Sequence, residues 1–426
     1  MKRVLLLAYH FPPIGGAGVQ RAVKFARYLP DFGFEPIVVT GPGQTGSRWA
    51  PRDASLAGEV GSVQIVRVDG PEPPQSTGVA ARLERWGRRP AAWTAWWSKA
   101  AEAAIREHGR GVDAIVATMS PFAGAEAATR AGKALGVPVV LDLRDPWALD
   151  EMTAYPTRAH RGLEERSMER ALAAADAVVM NTVEAAESLA RRFPRFRRYR
   201  IRVIPNGYDA DDFAGDAPQR SDDAFRIVHA GYLHTELASA GTVRRALRRT
   251  LGGGVPGVDV MTRSHVYLLR ALERSGATGV ELHLAGVAGA ADQIETTVPI
   301  VEHGYLEHGK SIALMRSADL LFLPMQNLPL GRRATIVPGK TYEYLASERP
   351  ILAALPDGDA RDLLRGVSEA YVSRPDDVAA LSDALVQLTE RHASAGRTPD
   401  VERSLARYER RSLTADLASL LNELAP

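Results

Sequence analysis

The chain has 426 residues, 45% of them hydrophobic and 24% charged, enough for roughly two to three packed domains. Lys+Arg 53 against Asp+Glu 51 leaves a net charge of +2, which argues against nucleic acid as the main ligand. Cysteine is absent, so disulfide frameworks, thiolate nucleophiles and cysteine-held zinc are excluded.

The first apolar run, residues 4–8, is too short for the core of a signal peptide, and no stretch reaches the ~18 apolar residues of a membrane span. The expectation is a cytoplasmic protein made without export. Residues 4–8 end at Phe11-Pro12-Pro13 and a glycine cluster, after which residues 20–29 take helical spacing. That order is strand, loop, helix. Further strand signals fall at 37–40, 65–68, 114–118, 137–142, 177–180 and 202–205. The pattern restarts after Pro218 with 225–229, 280–286, 320–324, 350–354 and 370–373. Strands alternating with helix-length segments predict doubly wound parallel sheets, here in two α/β domains with a seam near 205–222.

Three stretches depart from this rhythm. Residues 219–225 are polar and acidic and read as a linker. Residues 235–263, with Gly252-Gly253-Gly254, read as an inserted loop; its Arg244, Arg245, Arg248 and Arg249 suit a solvated helix face or an anionic ligand. Trp86, Trp93, Trp96 and Trp97, flanked by Arg85, Arg88, Arg89 and Lys99, suit helix packing against the sheet or contact with a membrane surface.

Four segments carry candidate chemistry. Gly15-Gly16-Ala17-Gly18 joins the first strand to the first helix, where small residues serve either a tight turn or a phosphate or sugar oxygen approaching backbone amides. Its spacing is not that of the dinucleotide fingerprint, which disfavours a nicotinamide-dependent dehydrogenase. Asp142-Leu143-Arg144-Asp145-Pro146-Trp147 closes a strand at the end where open α/β sheets bind ligands, and strand alternation places Asp142 and Arg144 on one side. An internal ion pair bracing the turn is the other reading. Residues 203–209, with Asn206-Gly207, mark a turn at the seam. Residues 338–353 read as loop, short helix from Lys340, then strand after Pro350. Amides at 339–341 (Gly339, Lys340, Thr341) and the Lys340 ammonium suit an anion, and Glu343 one turn later suits a pair of hydroxyls. Diphosphate and ribose together would satisfy both. His10 and His229 sit at strand ends and read as structural histidines.

On these residues the chain resembles a bacterial family 4 glycosyltransferase. The motifs are residues 11–29 (FPPIGGAGVQRAVKFARYL), Ser120-Pro121-Phe122, DLRDPW at 142–147, VIPNGYD at 203–209 and VPGKTYEYLASERPILA at 337–353, in the family's order. The resemblance implies the GT-B fold, two Rossmann-like domains facing across a cleft: an acceptor-side domain at 1–205 and a nucleotide-sugar domain at 206–399, with a final helix at about 400–426 crossing back to the first. It implies transfer of a sugar from a UDP-, GDP- or dTDP-linked donor to an acceptor hydroxyl with retention of anomeric configuration, without a cofactor or metal. Lys340 and Arg263 then neutralise the diphosphate. Gly231, Gly339, Thr341 and Tyr342 line the donor site, and Glu343 stands at the second glutamate of the family's E-x7-E motif. The first falls on Thr335, a departure at the donor-sugar contact. Gly15, Gly16, Ala17, Ser120, Asp142, Arg144 and Asp145 form the loop toward acceptor and diphosphate, which lacks the acceptor-side histidine of many relatives. Acceptors in such enzymes range from small molecules to glycans and lipid-linked chains, the last compatible with peripheral contact at the inner membrane face. A noncatalytic nucleotide-sugar-binding or partner-activating protein and a nucleotide-sugar epimerase share the architecture.

Overall fold

The computed structural model describes residues 1–44, 51–71, 92–196, 200–239, 250–396 and 403–425. They form two compact units. The first comprises Met1–Asp150, Arg158–Pro205 and Arg410–Pro426; the second comprises Glu151–Thr157 and Asn206–Glu409.

The first unit is built on seven parallel strands: β1 (Lys2–Ala8), β2 (Phe34–Thr40), β3 (Gln64–Arg67), β4 (Ala114–Thr118), β5 (Val139–Arg144), β6 (Ala177–Met180) and β7 (Ile201–Val203), in the order β3-β2-β1-β4-β5-β6-β7. The helices are α1 (Ala17–Tyr28), α2 (Ala92–His108), α3 (Ala123–Leu135), α4 (Arg158–Ala174) and α5 (Val183–Arg192). The continuous apolar runs β1 and β4 are central strands covered on both faces. In β1, Leu5 and Leu7 point into a core with Ile37, Val39, Trp97 and Ile105. Val4 and Leu6 point into the opposite core with Phe25 and Leu29. The C-terminal helix, Arg410–Leu424, closes this second layer through Leu413, Leu417 and Leu420.

The second unit has six parallel strands: β8 (Phe225–Ala230), β9 (Val280–Ala285), β10 (Ile300–Gly304), β11 (Leu320–Pro324), β12 (Ile351–Ala354) and β13 (Ala370–Ser373), ordered β10-β9-β8-β11-β12-β13. They carry α6 (Thr235–Ser239), α7 (Val266–Ser275), α8 (His308–Arg316), α9 (Lys340–Ala346), α10 (Asp359–Leu364) and α11 (Val378–Ala395). Strand β10 has no counterpart among the sequence signals. It pairs with β9 alone and leaves Val301, Glu302 and Gly304 exposed, so it carries no buried apolar run to read. In each sheet the strand order reverses once, between β1 and β4 and between β8 and β11. Open α/β sheets bind ligands at the carboxyl ends of strands flanking such a reversal.

The departures from rhythm resolve individually. Arg220 ties the 219–225 linker down, its guanidinium donating to Asp319 at 2.5 Å, to Asp222 and to the carbonyl of Ala224. Trp97 is buried, and Tyr9 meets Trp93 and Trp97 edge to face at 5.2 and 4.8 Å. Trp96 lies over Gly70, where a Cβ would approach its ring to 1.7 Å. These three tryptophans therefore serve packing within the first unit. Trp86, Arg85, Arg88 and Arg89, and the arginines Arg244, Arg245, Arg248 and Arg249, fall outside the described residues, as does the start of the expected final helix at 400–402. No helix among the described residues is long and apolar enough to cross a membrane.

Candidate active site

Two cationic residues of the second unit, Lys340 and Arg263, lie near the carboxyl ends of β8 and β11. Helix α9 opens on Lys340, after Gly339. The Lys340 ammonium lies 3.2 Å from His229 Nε2, and His229 Nδ1 lies 3.0 Å from the carbonyl of Phe322 in β11. A carbonyl only accepts, so Nδ1 carries the imidazole proton and Nε2 offers its lone pair to the ammonium. Burial and the neighbouring Lys340 hold the His229 pKa well below the usual histidine range, which keeps that lone pair available. Gly231 follows with φ +117°, and a Cβ there would stand 2.7 Å from Lys340 Nζ. Only glycine lets the ammonium pass this close to the chain. Burial, then the charge of Arg263, lowers the Lys340 pKa to about 7, against a smaller upward pull from Glu343.

Arg263 is held by the loop that precedes α7. Asp259 and Asn327 pair by reciprocal backbone bonds of 3.0 and 2.8 Å, and the Thr262 hydroxyl donates to the Asp259 and Met325 carbonyls at 2.9 and 3.0 Å. The Arg263 guanidinium donates to Gln326 Oε1 at 3.3 Å and lies 3.0 Å from Met152 Sδ. His265, fully buried, stands at the N-cap of α7 with its pKa lowered by burial. Two half-buried cations, one of which lowers the pKa of the other, make a setting that favours an anion.

The other expected donor-site residues are distributed unevenly. Glu343 is half-buried one turn after Lys340 and acts on it electrostatically. Thr335 is buried, its hydroxyl donating to Glu151 at 2.5 Å. The side chains of Thr341 and Tyr342 are turned into the interior, Tyr342 packing on Tyr408 at 5.1 Å. The amide of Thr341 donates to the Pro338 carbonyl at 3.0 Å, which engages one of the amides expected to face an anion.

In the first unit, Gly15 and Gly16 lie between β1 and α1, Ala17 and Gly18 open α1, and exposed Ser120 follows β4, on either side of the strand reversal. The Gly15 amide donates to Pro51 at 2.8 Å, and Gly16 takes φ +95°. Asp142 departs from the expected grouping. Its carboxylate is fully buried and accepts from Arg21 Nε and Nη2 at 2.8 and 2.9 Å and from the Thr118 hydroxyl at 2.8 Å. Arg21 also donates to the carbonyls of Pro205 and Ile204 at 2.7 and 3.0 Å. This is an internal ion pair, although its cation comes from α1 and not from the DLRDPW segment. Simple alternation also fails at Arg144, which has φ +57° where the β5–β6 register shifts. The Arg144 guanidinium instead latches the glycine loop by donating to the Gly18 carbonyl at 2.6 Å. Asp145 is exposed beyond it. Burial, then the charge of Arg144, lowers the His10 pKa to about 4.

Sequence reasoning passed over three contributors: Glu151, Gln326 and the imidazole of His229 as the Lys340 partner. His229 carried one usable signal, a polar residue near the end of a buried apolar strand. Glu151 and Gln326 carried none, because their roles depend on contacts made across long stretches of chain. Among the described residues no cluster of His, Asp or Glu is arranged to hold a metal ion.

Residues 14–212, slightly under half the chain, match the family model described as Glycosyltransferase Family 4. Anabaena Alr3699/HepE, solved in complex with UDP and glucose, is similar at a TM-score of 0.60, with 14% identity and 100% of each chain covered. A glycosyltransferase from Rickettsia africae is similar at 0.58, with 12% identity over 99% of this chain and 98% of its own. S. aureus MnaA, solved with UDP, is similar at 0.55, with 12% identity over 99% and 96%. No curated protein matches this chain by sequence. The fold is that of GT-B glycosyltransferases, with two Rossmann-like domains.

Proposed function

We propose that the protein is a family 4-like glycosyltransferase that moves a sugar from a nucleotide-diphosphate donor to an acceptor hydroxyl with retention of configuration. The observation that carries this reading is the convergence of half-buried Lys340 and Arg263 at the strand reversal of the second sheet, with Glu343 one turn along α9. The family-model match over residues 14–212 and the nucleotide named with two structures of the same fold support it. The acceptor oxygen attacks the anomeric carbon on the face from which the diphosphate leaves. The bond from that carbon to the phosphate oxygen breaks, the acceptor bond forms, and the acceptor proton passes to the departing phosphate oxygen. Lys340 and Arg263 stabilise the charge that develops on the leaving group, so no protein nucleophile is required. The first unit presents the acceptor near Gly15, Gly16, Ser120, Arg144 and Asp145.

A calorimetric panel of UDP, GDP, dTDP and ADP, with and without EDTA, tests the reading. One nucleotide binds selectively and without regard to EDTA, and Glu343→Ala weakens it roughly tenfold by removing the acceptor for the ribose hydroxyls. Silence across the panel refutes the donor site. Nucleotide binding without sugar transfer, or donor conversion with no acceptor present, would instead support the noncatalytic or epimerase reading.

The titration of Lys340 sets a pH dependence. The free ammonium loses its proton at about 7, and a diphosphate beside it favours the charged form and raises that value. Donor binding therefore takes up a proton above about pH 7, and affinity falls with rising pH by up to about tenfold per unit. Below about pH 7 the free protein is already charged and the dependence flattens. UDP-glucose, whose diphosphate has no proton to lose in this range, is the probe. A flat affinity from about pH 6 to about pH 9 contradicts the assignment.

A further inference from the structure

Segment Glu151–Thr157 follows β5 in the chain yet belongs to the second unit, where the Tyr155 amide donates to the Gly253 carbonyl at 2.8 Å. Its first residue brings a carboxylate into the interior at 5% exposure. Glu151 Oε2 accepts from the Thr335 hydroxyl at 2.5 Å; Oε1 accepts from the Thr335 amide at 3.4 Å and from Gln326 Nε2 at 3.0 Å. Hydrogen-bond donors thus meet both oxygens.

The direction of these bonds has a consequence. Gln326, fully buried, turns its amide nitrogen toward Glu151, which aims its carbonyl oxygen the other way. That oxygen accepts from Arg263 Nη1 at 3.3 Å, and the same nitrogen touches Met152, the residue after Glu151. A continuous line runs Thr335–Glu151–Gln326–Arg263. With Gln326 reversed, its NH2 group would confront the guanidinium, and two donors repel.

We propose that Glu151 is a positioning residue for Arg263, fixing the orientation of the Gln326 amide and through it the direction of the guanidinium; this rests on the donor-site reading above. Glu151 acts through Gln326 and touches no reacting atom. The same arrangement accounts for a hydroxyl at 335, since an acidic side chain there would set two buried carboxylates against each other.

The experiment is UDP affinity by calorimetry, with a melting curve for each variant, on the wild type, Glu151→Ala, Glu151→Gln, Gln326→Leu and Arg263→Ala, and on Glu151→Ala and Gln326→Leu each combined with Arg263→Ala. GDP, dTDP or ADP replaces UDP where it is the nucleotide bound. Glu151→Ala and Gln326→Leu each weaken binding roughly tenfold. Glu151→Gln recovers most of the loss, because its amide oxygen still accepts from Gln326 while its nitrogen donates to the Thr335 hydroxyl. In the Arg263→Ala background neither further substitution changes affinity. Wild-type affinity in Glu151→Ala, an equal loss in Glu151→Gln, or an undiminished loss in the Arg263→Ala background overturns the positioning role and leaves the donor site standing. If Glu151→Ala does not melt cooperatively, Gln326→Leu decides by the same comparisons. A wild type that binds none of the four nucleotides overturns the donor-site reading and this proposal with it.

Discussion

Replacing Lys340 by alanine is expected to lower kcat by about a thousandfold while the protein keeps its fold. Removing a single preorganised donor from a site of developing negative charge costs about 3–4 kcal/mol in known oxyanion sites, which is roughly 10² to 10³ in rate. Lys340 belongs at the upper end. Its ammonium is half-buried, held by neutral His229 at 3.2 Å and passed closely by Gly231, so its position is fixed and solvent screens it only in part. A bulk cation or water that enters on truncation cannot reproduce that placement. The substitution also relieves a buried charge beside Arg263, so the melting temperature is expected to hold or rise. The pattern to measure is therefore turnover lost with stability kept, and the pH dependence of UDP-glucose affinity above about pH 7 lost with it. Full turnover in Lys340→Ala would remove the residue from the mechanism. A parallel loss of stability would make its role architectural.

The sheets were legible in the sequence because their central strands are buried on both faces and read as unbroken apolar runs. β1, β4, β11 and β12 are of this kind. The exposed edge strand β10 was not, since nothing forces a pattern on residues facing water. The element that carries the candidate site was legible where it is a regular helix with a definite start, as α9 is at Lys340, with Glu343 in its first turn. It was illegible where position depends on partners remote in sequence. Asp142 and Arg144 stand two apart on one strand, and alternation treats them alike. In the structure one is consumed by Arg21 of α1, while a shifted register and a positive φ send the other to Gly18. Thr335 shows the same limit in reverse. Read along the chain it is a missing carboxylate, whereas in space the carboxylate of Glu151 meets its hydroxyl, contributed from 184 residues away.

Truncating one member of the Arg21–Asp142 pair is expected to be the most destabilising single change in the first unit. Both side chains are 1% exposed and joined by two bonds, and Arg21 reaches on to the Ile204 and Pro205 carbonyls. The pair's net contribution relative to apolar residues of equal volume is small, since burying two ions costs nearly what their attraction returns. Losing one partner differs, because it strands the other charge without water. Asp142→Leu should cost about 3–5 kcal/mol and lower the melting temperature of the first unit by roughly 10 °C. It also deprives the Thr118 hydroxyl of its acceptor at the end of β4. Adding Arg21→Met should recover much of that loss by removing the stranded guanidinium, although the carbonyls of Ile204 and Pro205 then lose their donors and recovery stays incomplete. Calorimetric melting of the two single variants and the double variant checks this through the sign of the coupling. Additive losses would show that each residue is held by separate contacts and that the ion pair does not brace the end of β5.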